Sequence, residues 1–276
     1  MLGLVAIGFS YIFRVTKVFH LAHGGIYVVG AYSCWWAEMK TQSWFISIIF
    51  AFAIVTILIT ILEKSVYLQI NKRKSNESIS LIASSGLYVI IINILALLFG
   101  NENKVFENGI SGTFLIGQLI ITKVQLIQLI AGIGSIVILI GLLSFTKSKL
   151  TLQAISDNEI ISKTLGINTN RERLKVFVLG SILASIAAIL NTIDTGIDLH
   201  SGMKITLSAA VVTILIGRSN PLLIMLSSIS LLLLQNIVEW FMNAQWRDGV
   251  TFFILLIVIL FRTEGILSYN LRKDRA

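Results

Sequence analysis

Proline occurs once in this chain, at Pro221, and cysteine once, at Cys34. A lone cysteine excludes an intramolecular disulfide and a thiolate metal cluster. Cys34 lies in an apolar run beside Trp35 and Trp36 and reads as a packing residue. Charge is scarce: 13% of residues are Asp, Glu, Lys or Arg, against about 25% in ordinary soluble domains. Several chemical signatures are missing as well. Without a G-x-x-x-x-G-K-[ST] phosphate loop the chain has no nucleotide hydrolysis by that route. It carries neither an H-E-x-x-H zinc helix nor a G-x-S-x-G nucleophile turn. His20 and His23 are spaced to share a helix face, but no third metal ligand lies near them in sequence. The expectation is a non-catalytic chain with no cofactor and no metal.

What the sequence has in abundance is apolar surface: 55% of its 276 residues are hydrophobic, and the mean hydropathy is +0.87. One soluble core cannot hide that much, and several runs approach the roughly 20 apolar residues that cross about 30 Å of hydrocarbon. Nine apolar segments are legible, at about 1–13, 18–37, 44–62, 79–99, 125–145, 174–193, 203–217, 221–242 and 249–263. None alternates polar and apolar residues as a membrane strand does, so the expected fold class is an all-α integral membrane protein of eight or nine transmembrane helices. One membrane domain should cover residues 1–276. The first charges, Arg14 and Lys17, follow the first apolar stretch instead of preceding it, which argues against a cleaved signal peptide. The first and seventh segments are short. Thirteen residues make a helix of only about 20 Å, so the first segment is expected to continue upstream, to tilt, or to be buried among other helices. The net charge of +8 sits between apolar runs and not on a polar face, which argues against nucleic acid as a partner.

The basic residues also set an orientation. With strict alternation, Lys40, Lys104, Lys123, Lys204 and Arg247 fall on one side and the other 17 of 22 on the opposite side. Positive loops stay in the cytoplasm, so the N-terminus is expected outside and the C-terminus inside the cell membrane. The connection 100–124 then reads as an external loop with a turn or short hairpin. The connection 146–173 is cytoplasmic, and in it Leu152, Ile155, Ile160, Ile161 and Leu165 fit one apolar stripe of a short amphipathic helix that ends at Gly166. Polar residues inside apolar spans are functional candidates: Asn93, Asn191, Gln235, Asn236 and Glu239.

Three segments in order carry a family resemblance. The first runs from Leu4-Val5-Ala6-Ile7-Gly8-Phe9 to Phe19-His20-Leu21-Ala22-His23-Gly24-Gly25, and the second from Gln153-Ala154 through Leu165-Gly166-Ile167-Asn168 to Lys175-Val176-Phe177. The third joins Gly202-Met203-Lys204 to Ala209-Ala210-Val211, Gly217, Ser219 and Pro221. With weaker likenesses at 80–86 and 248–267, the chain resembles the permeases of branched-chain amino acid importers, in the ABC group that also carries urea, short amides, sugars and nucleosides. It departs from that family where a glycine-rich stretch is reduced to Ile214-Leu215-Ile216-Gly217-Arg218-Ser219-Asn220-Pro221. The resemblance implies an ATP-driven importer in which this chain pairs with a second permease subunit. Cytoplasmic ATP-binding subunits dock beneath it and an extracytoplasmic binding protein delivers the substrate. It implies that Ala154, Asp157, Asn158, Glu159, Leu165 and Gly166 couple to the ATPase, and that His20, His23, Gly24, Asn93 and Lys204 line the pathway. The competing class, a secondary transporter, calls for membrane carboxylates and paired broken helices that the sequence does not display.

Overall fold

The computed structural model describes residues 1–73, 77–106, 112–116, 119–145, 148–217 and 220–261. The exit segment from Arg262 onward and the basic residues Lys74, Lys147 and Arg218 lie outside these ranges. Each of the nine apolar segments is a helix. They are α1 (Leu2–Thr16), α2 (Ala22–Thr41), α3 (Trp44–Leu62), α5 (Glu77–Phe99), α6 (Lys123–Phe145), α9 (Thr169–Thr195), α10 (Ser201–Ile216), α11 (Pro221–Phe241) and α12 (Trp246–Phe261). Between α3 and the short α4 (Leu68–Lys72) lies a π-turn, Glu63–Tyr67. Two polar helices, α7 (Ser148–Asp157) and α8 (Glu159–Thr164), connect α6 to α9. Strands β1 (Thr113–Ile116) and β2 (Leu119–Thr122) pair antiparallel and form the expected hairpin in the α5–α6 connection.

Among the described residues, five helical stretches are long and apolar enough to cross a membrane by length and composition: Trp44–Lys72, Ser78–Phe99, Lys123–Gly141, Thr169–Thr195 and Pro221–Phe241. They divide by burial. In the α9 window 67% of residues are buried, against 17% in α6, so α9 is central and α6 peripheral. The short α1 is also central. Val5, Ala6, Ile7 and Ile12 are fully buried, and the helix packs against α9, α10 and α11. Of the expectations for this short segment, burial among neighbours is the one seen directly. α3, α5, α6 and α11 turn Leu, Ile and Val side chains outward, as lipid-facing helices do.

The central helices touch backbone to backbone. A Cβ added to Gly8 of α1 would stand 2.7 Å from the Gly180 carbonyl oxygen of α9, and one added to Gly24 of α2 would stand 2.5 Å from the Gly202 carbonyl oxygen of α10. Small residues at crossings let apolar helices approach when no hydrophobic effect drives them together. A different periodicity explains the π-turn. The inward residues Ser47, Ala51, Val55, Ile59, Glu63 and Tyr67 are spaced by four throughout, and all are buried. An α-helix drifts about 40° per such step. The wider π-turn at the end of the series takes back part of that drift and keeps Glu63 and Tyr67 facing the bundle.

The helix α2 begins inside the bundle. After Lys17 ends α1 in a left-handed conformation (φ 56°), residues 18–21 run back along the core. The Ala22 amide donates to Ser84 Oγ at 2.9 Å. Ser84 is seven residues past the start of α5, about 10 Å along it at the usual rise. Such irregular backbone is tolerated at depth only when enclosed by protein. Here the Val18 amide donates to Thr16 Oγ1 and the Leu21 amide to the Phe19 carbonyl.

Two ends of the bundle can be defined. At the hairpin end, Lys104 and Ile197 form a backbone bridge, Trp35 Nε1 donates to the Val105 carbonyl, and the Trp44 and Phe106 rings lie 5.0 Å apart. Trp240, Phe241 and Trp246 are exposed around the α11–α12 connection, the composition of an interfacial aromatic belt. The opposite end carries α7 and α8.

Candidate functional site

The α7–α8 segment is two helices, not the single amphipathic helix expected over 152–165. Asn158 is extended (φ −158°) and breaks the run. Its Oδ1 accepts from the amides of Ile160 and Ile161, both at 3.0 Å, and so caps α8. The break splits the predicted stripe. Leu152 and Ile155 are buried, on a helix packed against α1 and α6, whereas Ile160, Ile161 and Leu165 are exposed. The far end of α8 closes as expected at Gly166, which has φ +82°. The Gly166 amide donates to the Lys163 carbonyl and the Ile167 amide to the Ser162 carbonyl, the two bonds of a Schellman motif. Asn168 then caps α9 by accepting from the Arg171 amide at 3.1 Å.

Ala154 is half-buried on α7, and Asp157 is exposed at its end. Glu159 is held more tightly than an exposed residue. Lys163 Nζ lies 2.7 Å from its Oε1, and Thr169 Oγ1 approaches the same oxygen at 3.5 Å. Burial alone would raise the Glu159 carboxyl, but the hydrogen bond from Lys163 and the charges of Lys163 and Arg173 outweigh it and hold the group below the ordinary glutamate range.

Behind α8 lies a polar chain that sequence reading missed. Arg173, in the first turns of α9, is almost wholly buried, and its Nε stands 3.3 Å from Oε1 of the buried Glu63. Four residues on, Tyr67 stacks on Phe177, and its hydroxyl contacts His20 Nδ1 at 2.8 Å and Ser84 Oγ at 3.0 Å. Ser84 in turn receives the Ala22 amide. Two sets of buried polar contacts therefore lie one turn apart on the π-turn: Glu63 with Arg173 of α9, and Tyr67 with His20 and Ser84 at the start of α2. One sequence signal pointed to this chain: Glu63 is an acid that directly continues the apolar run 44–62.

The five expected pathway residues do not form one cluster. His20 and His23 are fully buried, with rings 5.6 Å apart, among Phe9, Tyr67 and Phe177. Gly24 sits against Gly202, a helix crossing. Asn93 is exposed on α5, and its Nδ2 donates to the Val89 carbonyl of its own helix. Lys204 lines a large cavity.

That cavity opens at the hairpin end, between α1, α2, α6, α9, α10, α11 and α12, and has a volume of about 580 Å³. Lys204, Arg247 and Asp248 line its exposed part. Lys204 Nζ is 3.9 Å from Asp248 Oδ2, and Arg247 is 3.5 Å from Glu239. Deeper in, Tyr27 and Gln235 are buried. Gln235 Nε2 donates to Thr251 Oγ1. Leu2, Ile205 and Leu232 supply the apolar wall.

Residues 1–260 match the family described as "Branched-chain amino acid transport system / permease component". The chain is 27% identical, over 96% of its length and 91% of the relative's, to the high-affinity branched-chain amino acid transport system permease protein BraD of Pseudomonas aeruginosa. It is 23% identical to the permease LivH of Salmonella typhimurium and 22% identical to LivH of Escherichia coli, with the same coverage. Among solved structures, PsaBC from Streptococcus pneumoniae in complex with Fab shares the fold, with a TM-score of 0.53 at 15% identity over 99% of this chain and 91% of that one. A family match over residues 1–260, running through the apolar helices described above, shows that this chain belongs to the branched-chain amino acid transport system permease family.

Proposed function

We propose that this chain is the membrane-spanning permease subunit of an ATP-driven importer for branched-chain or other small amino acids. A second permease subunit completes the pore, ATP-binding subunits dock at the α7–α8 end, and a binding protein delivers substrate at the hairpin end. The observation that carries the coupling role is the state of α8. This six-residue helix is capped at both ends and leaves Ile160, Ile161 and Leu165 uncovered beside the charged Asp157 and Lys163. An apolar face with a polar rim is what a groove on a partner receives. A chain without a nucleotide site needs such a contact to receive work.

Two variants test it. Gly166→Val places a β-branched residue at φ +82°, a strain of roughly 1 kcal/mol or more. Asp157→Lys reverses the exposed charge. Both residues lie outside the spans, so membrane levels should stay near normal while substrate uptake and substrate-stimulated ATP hydrolysis of the reconstituted complex fall together. Full uptake with full retention of the ATPase subunit in both variants would remove α8 from the coupling role.

The proposed orientation puts α7 and α8 in the cytoplasm. In a Cys34→Ser background, an impermeant thiol reagent applied to intact cells should label Glu102→Cys, at the hairpin end, and leave Ser156→Cys, on α7, unlabelled. The reverse pattern would invert the topology.

A further inference from the structure

We infer that the cavity at the hairpin end and an apolar groove continuous with it form one site for a membrane glycerophospholipid with a primary-amine headgroup. The site requires only that the bundle lies in a bilayer and does not rest on the importer reading.

The groove lies between α6 and α11. Both helices pack against α1, and the space of about 310 Å³ left between them is floored by Met1, Gly3 and Leu4. Its walls are apolar apart from Gln125, Gln128 and Ser228. Two of these three are engaged within the protein: Gln128 Nε2 donates to the Leu190 carbonyl and Ser228 Oγ to the Ile224 carbonyl. Leu129, Ile133 and Ile229 are exposed along it, so the groove opens toward lipid. Two glycines set its width. A Cβ on Gly3 would stand 3.8 Å from Met225, and one on Gly132 would stand 3.7 Å from Met1 Cε, both ordinary contacts. Unlike Gly8 and Gly24, these glycines leave space unfilled. From Gln125 to Ile136 the groove follows α6 for about 16 Å at the usual rise. That is about half of a 30 Å hydrocarbon core, the depth of one leaflet.

The cavity receives the head. Met1, Gln128 and Leu232 line both spaces and join them. The cavity is otherwise unlike the groove: Tyr27, Asn191, Ser208, Gln235 and Asn236 make its interior polar, and Lys204, Arg247 and Asp248 make its mouth charged. Amide and hydroxyl groups suit the ester and phosphate oxygens of a lipid and would be poor company for its hydrocarbon. The helix α10 begins at this mouth with Ser201 in the lining, no acid in its first turn and no side-chain cap. An open amide end of this kind favours a phosphate, and Lys204 and Arg247 stand beside it. The acids select the rest of the head. Lys204 lies 3.9 Å from Asp248 and Arg247 3.5 Å from Glu239, and all four side chains are partly exposed. A head with negative charge alone would set its phosphate against two carboxylates. An ethanolamine brings an N–H donor to them, which a choline lacks. Trp240, Phe241 and Trp246, exposed around the α11–α12 connection, mark the headgroup level of the bilayer, so the polar cavity and the apolar groove follow the order of a lipid from head to tail.

The test uses the full chain, purified with its partner subunits, in phosphatidylcholine nanodiscs. These carry a trace of phosphatidylethanolamine with a photoreactive diazirine in one acyl chain, and adducts are mapped by mass spectrometry. Adducts should concentrate on residues 128–136 of α6 and 225–232 of α11. Raising unlabelled phosphatidylethanolamine from none to about 30 mol% should cut them about tenfold, because only copies free of competitor take up the probe. The chain-free headgroup sn-glycero-3-phosphoethanolamine should leave the yield unchanged. Gly132→Phe directs a ring into the groove from a position where its Cβ meets no backbone, and should abolish the adducts. Lys204→Met/Arg247→Met should lower them about tenfold, as the loss of a charge-assisted hydrogen bond would. Both variants alter exposed or lipid-facing positions, and folded yield is recorded beside each. The wild-type competition needs no variant and decides alone if either fails to fold. Adducts spread equally over the lipid faces of α3 and α5, a yield indifferent to added phosphatidylethanolamine, or no adduct at all because a second subunit covers the cleft would each overturn the site. Equal competition by the chain-free headgroup would reduce it to a phosphate site and remove the lipid.

Discussion

Arg173→Met is expected to destabilise the folded chain by about 3–5 kcal/mol, the range for a buried ion pair deprived of one partner. Arg173 is 1% exposed and Glu63 2%, so neither charge has water to fall back on. The pair spans 110 residues of sequence and joins the π-turn to the start of α9. Removing the guanidinium leaves the buried Glu63 carboxyl without its ion-pair partner. The double variant Glu63→Leu/Arg173→Met should recover most of the loss, since apolar replacement of a whole buried pair is often neutral or stabilising. Thermal unfolding of the purified complex in nanodiscs reads both effects. A single variant that loses less than about 1 kcal/mol would put the pair among surface ion pairs, and a double variant no better than the single would deny that the stranded charge is the cause. Because Glu63 and Tyr67 share the π-turn, the double variant also offers a transport readout: ATP hydrolysed per substrate imported. A rise in that ratio in a stable double variant assigns the pair a part in transmitting motion from α8 to α2.

The second large effect concerns the crossing of α2 and α10. The alanine methyl of Gly24→Ala would lie 2.5 Å from the Gly202 carbonyl oxygen and 2.7 Å from its carbon. Backbone atoms cannot rotate away as a side chain does, so the two helices must separate. Forcing an extra methyl into a filled core costs about 1–3 kcal/mol, and Gly24→Leu should prevent accumulation of the folded chain. Gly86 is the control. An added Cβ there meets nothing within 4 Å, and Gly86→Ala should be neutral or stabilise α5 by up to about 1 kcal/mol. Folded yield after detergent extraction, compared across the three variants, checks the order. Equal yields for Gly24→Leu and Gly86→Ala would mean that the crossing is not close in the membrane.

The contrast between these two glycines shows where the sequence is legible. Span positions follow from apolar runs, and all nine helices lie where those runs predict. Helix ends follow from local chemistry as well: Pro221 opens α11 with Asn220 Oδ1 accepting from the Leu222 amide, and Gly166 closes α8. Both signals act over three or four residues, within reach of a linear reading. Gly24 and Gly86 look alike in sequence because what distinguishes them is Gly202, on another helix. Glu63 and Arg173 were legible only as charges near span ends, and their pairing depends on the fold. The break at Asn158 was hidden for a different reason. Leu152, Ile155, Ile160, Ile161 and Leu165 satisfy one helical period, and periodicity does not register that an asparagine side chain competes for the amides two and three residues on. Of the five residues expected along the pathway, Lys204 lines the cavity at the hairpin end and Asn93 is exposed on α5, a difference that polarity within a span does not register because it does not say which way a helix face turns.

The double capping of α8 has an engineering consequence. Among the described contacts, the hydrogen bonds that shape residues 158–167 are nearly all internal to that stretch: Asn158 opens it, the Gly166 and Ile167 amides close it, and Glu159 ties to Lys163 within it. The Asn158 amide on the Ala154 carbonyl, the Thr169 contact, the buried Ser162 and the half-buried Ile167 anchor it outward. Such a segment behaves as a cartridge. Its uncovered side chains can be rewritten, or the whole loop exchanged with that of a relative, without disturbing the helices that hold it. Under the proposed coupling role, partner choice and membrane fold become separable traits of one polypeptide, and a hybrid with a transplanted loop is expected to redirect the chain to a foreign ATPase while leaving its spans unchanged.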